Sequence, residues 1–83
     1  MKLEREANKI GALVEAIRPI LAGHPPGVQS AALANCLALW LAGHDVQGDE
    51  DATRRMRAEM LAIHCMLVRQ LVPVNARSLG TTP

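Results

Sequence analysis

Apolar residues recur along residues 3–22 with the period of a helix. Leu3, Ala7, Ile10, Val14, Ile17 and Leu21 succeed one another at intervals of four and three, and Leu13 and Ile20 widen the stripe. That spacing puts them on one face of an α-helix. Glu4, Asn8, Glu15, Arg18 and Pro19 fall on the other face. Pro19 lacks an N–H and crowds the carbonyl of Glu15, but on a polar face water satisfies that carbonyl, so the pattern predicts a bend toward the core more than a break.

A second helix is predicted over about 26–42, a stretch without a charged residue. Val28, Leu33, Cys36, Leu37, Leu39, Trp40 and Leu41 cover more than half its circumference, and Ala31, Ala34, Ala38 and Ala42 form the remaining strip. A helix that is apolar nearly all round is buried on more than one side. The third helix is predicted over about 51–72. Asp49, Glu50 and Asp51 stand at its start, where carboxylates accept free backbone N–H groups and complement the helix dipole. Met56, Met60, Ile63, Leu67 and Leu71 form its main inward stripe, with Leu61 and Val68 on a second flank. Pro73 is read as the stop, and residues 74–83, which lack a period, as a C-terminal tail outside a single helical domain of residues 1–73.

The tetrapeptide LAGH occurs at residues 21–24 and again at 41–44. Each copy reads as a helix end: Leu and Ala complete the last turn, and glycine supplies a left-handed cap. Pro25 and Pro26 forbid continuation after the first copy, and a polar loop does so after the second.

The fold class is therefore all-α, three helices forming a bundle. Composition adds a difficulty. The chain has 83 residues, no Phe, no Tyr and one Trp, so Leu, Ala, Ile, Val and Met must fill the interior. A chain this short buries only about 60–65% of its unfolded surface, which leaves a narrow stability margin. A second subunit covering further apolar surface relieves the shortage, so the bundle is expected to be completed by homodimerisation. The candidate dimer or partner interface is Ala31, Ala34, Ala38, Leu41, Leu61 and Val68, and Trp40 is expected inside the core.

The formal charge of +1 provides no net field for nucleic acid or anionic lipid. Fifteen apolar-leaning residues, 28–42, fall short of the ~20 a membrane span needs, and the charged start MKLEREANK does not read as a secretory signal. Cys36 and Cys65 form no CxxC and read as small apolar fillers of a cytoplasmic protein. His24, His44 and His64 recur every twenty residues. Two of them flank a helix about 25 Å long, and none belongs to a close ligand pair, so they read as capping, surface or hydrogen-bonded residues with no metal or other cofactor. No phosphate loop, GxSxG or HExxH is present, and no enzymatic activity is expected. The sequence thus predicts a small protein–protein interaction module, an adaptor, regulator or inhibitor, that is a homodimer and can meet a larger protein partner. The alternative is a nucleic-acid-associated regulator using Arg54, Arg55 and Arg57. Against it stand the acidic residues around that cluster, the Arg55–Glu59 spacing, and a connection too long for a helix-turn-helix.

Overall fold

The computed structural model describes residues 2–81, which form three helices: α1 (Lys2–Leu21), α2 (Pro26–Ala42) and α3 (Glu50–Leu79). No strand is present among the described residues. The chain divides into two compact units, Met1–Asn35 and Cys36–Pro83, so that α2 belongs to the first by its N-terminal half and to the second by its C-terminal half.

In the first unit α1 runs through Pro19 without interruption. It ends as the sequence predicts. Gly23 is left-handed, with φ +83°, the His24 N–H closes on the Leu21 carbonyl at 3.3 Å, and Pro26 opens α2. One contact has no signal in the local pattern: the Gln29 side-chain amide reaches back from α2 and donates to the Leu21 carbonyl at 2.7 Å. The last carbonyls of a helix have no partner of their own, so this bond closes α1 with a group from the next helix. Along the central line of the α1 stripe, coverage increases toward that turn, from open Leu3 and Ile10 to half-buried Leu21, while flanking Ile20 stays open.

In the second unit the other LAGH copy behaves differently. Gly43 is not left-handed. Its N–H still keeps the helical pattern, bonding the Leu39 carbonyl at 3.0 Å, and side chains from outside α2 meet the open carbonyls at its end. The left-handed glycine of this connection is Gly48, φ +80°, inside a turn closed by Asp49 N–H to the Val46 carbonyl at 3.0 Å. Asp49 then caps α3. Its backbone is extended, and its carboxylate accepts the Ala52 N–H at 2.9 Å.

The predicted end of the third helix needs correction, because α3 passes Pro73 and continues to Leu79. Residues 74–79, expected in a tail, are helical. The true stop is Gly80, φ 72°, whose N–H bonds the Arg77 carbonyl while Thr81 N–H bonds that of Ala76 at 2.9 Å. That pair is the Schellman motif, and it satisfies the orphan carbonyls that Pro73 alone would have left open. Thr82 and Pro83 lie outside the described residues.

No described residue is buried. The inward stripe of α3 is half-buried at Met56 and Met60 and exposed from Ile63 onward, because the part of α2 in its unit is seven residues long and α3 is thirty.

Different glycine geometry in the two LAGH copies gives a direct comparison. Gly23→Ala forces a β-carbon into left-handed backbone and is expected to cost about 1–2 kcal/mol. At Gly43 an added Cβ meets nothing nearer than the Leu39 carbonyl oxygen at 3.5 Å. Gly43→Ala should therefore be neutral or stabilising by up to about 1 kcal/mol. Urea unfolding of both variants measures the difference.

Candidate functional site

The densest set of side-chain interactions lies where α2 ends and α3 begins. Trp40 sits in the last turn of α2, and His44 stands four residues later. The His44 Nδ1 is 2.7 Å from the Trp40 carbonyl, so that nitrogen carries the proton and donates it. The imidazole also meets the indole edge-on, with ring centroids 5.0 Å apart at 60°. His64, arriving from α3, packs on the same indole at 4.7 Å and 74°. Both are the T-shaped arrangement that aromatic quadrupoles prefer. Two of the three evenly spaced histidines thus converge on the single Trp. One helix end and one neighbouring helix bring them there. Among the described residues no three His, Cys, Asp or Glu side chains gather as a metal site.

Arg57 completes the cluster. Its Nε donates to the His44 carbonyl at 3.0 Å and its Nη2 to the Ala42 carbonyl at 3.0 Å. A planar guanidinium can bridge two acceptors in this way, and a cation at a helix C-terminus also meets the negative end of the dipole. Arg57 therefore closes α2 as Gln29 closes α1, each from the next helix in the chain. The sequence groups Arg57 with Arg54 and Arg55 as a candidate nucleic-acid contact. The structure separates the three: Arg57 is half-buried and engaged with backbone, Arg54 pairs with Asp51 at 3.4 Å, and Arg55 is exposed. The ion pair of this turn is Arg54–Asp51, not the expected Arg55–Glu59.

The connection between α2 and α3 is held by Thr53. Its hydroxyl accepts the Val46 N–H at 2.9 Å and lies 2.8 Å from the Asp49 carbonyl, to which it donates. An open depression lined by Asp45, Val46, Asp49, Glu50, Thr53 and Arg54 results. Its threonine and Asp49 are already committed to capping, so the depression reads as the surface of a well-tied loop.

The candidate interface residues fall into two groups. Ala31, Ala34 and Ala38 are exposed and Leu41 is half-buried on α2. Leu61 and Val68 are exposed on α3, 41% and 56% open. Trp40, expected in a core, keeps 43% of its surface open, because within its unit it has only the edges of two imidazoles and the flank of α3 to lie against. Cys36 and Cys65 are free and exposed, and do not fill an interior of the single chain. No helix among the described residues is long and apolar enough to cross a membrane.

The Arg57 bridge is testable. Arg57→Ala removes two charge-assisted bonds at a partly exposed site and should cost about 1–2 kcal/mol. Arg57→Lys should recover less than half of that, since a point-charge ammonium cannot reproduce the two-pronged contact. Unfolding monitored by Trp40 fluorescence, next to the bridged carbonyls, reads the loss.

No protein-family model, curated protein or solved structure matches this chain.

Proposed function

We propose that this chain is a small helical protein–protein interaction module, an adaptor, regulator or inhibitor, whose three helices become a closed bundle only through homodimerisation. Its work is binding, not catalysis. The observation that carries this reading is the absence of any buried residue among those described, although the helices present long apolar faces. Water-exposed leucines and valines in such number are stable only when another surface covers them. The second copy is the occupant always at hand, and a larger protein can meet whatever apolar surface the dimer leaves. Free, exposed cysteines fit a reducing compartment such as the cytoplasm.

The catalytic alternative has little support. His44 is occupied in capping α2, and Thr53 in closing the loop. The nucleic-acid alternative loses Arg57 to the α2 carbonyls and shares Arg54 with Asp51.

Light scattering at micromolar concentration should give twice the chain mass of 8.9 kDa. A mass of one chain throughout that range rejects the dimer. Ala38→Glu places a charge on the alanine strip of α2 and should halve the mass while the helical circular dichroism persists at least in part. An unchanged mass would remove the strip from the interface.

A further inference from the structure

We draw no further inference here: the strongest candidate, the open apolar flank of α3 that runs through Leu61, Val68 and Val72, carries nothing because nothing in the structure shows what covers it.

Discussion

Apolar surface on more than one side of a helix calls for neighbours on more than one side, and this constraint bears on α2 and α3 above all. α2 is uncharged, and α3 carries apolar residues on two flanks, so each presents apolar surface in more than one direction. With no Phe, no Tyr and one Trp, little large aromatic surface is available to fill an interior. Within the two units the helices are complete, and no described residue is buried. Every functional statement about this protein depends on what covers that surface.

Where packing is thin, polar contacts set the chain's path. Gln29 returns from α2 to the end of α1, and Arg57 returns from α3 to the end of α2. Each satisfies carbonyls that a helix cannot satisfy itself, and each does so with a side chain of the next helix, which ties the direction of that helix to the preceding end. The capped start of α3 and the Thr53 hydroxyl do the same for the intervening loop. Such bonds are worth little individually in water, about 1 kcal/mol each, and orient helices without enclosing them.

The helices are legible in the sequence because their signals are local. Period, proline pairs and acidic starts act within one or two turns, and α1, the first turn and the Asp49 cap lie where those signals put them. Pro73 misleads because a proline costs one hydrogen bond and a kink, which a long helix tolerates when a stronger stop lies ahead. Gly80 with Arg77 before it is that stop, readable as a C-terminal cap. The second LAGH misleads for the opposite reason. Its glycine looks like a cap, but the capping comes from Arg57, thirteen and fifteen residues beyond the carbonyls it bridges, at a distance that local pattern does not encode. Trp40 reads as a core residue because large aromatics are usually covered. Whether a residue on an apolar arc is covered depends on how many helices surround it, and that number is not written in the local pattern.

Thermal unfolding of the unmutated protein at several concentrations tests the central claim most directly. A chain that encloses its surface only by pairing should melt at a temperature that rises steadily with protein concentration, by mass action on the dimer. A single sharp transition at one temperature, unchanged across a hundredfold dilution in the micromolar range, would contradict it, for then one chain alone would be the folded unit.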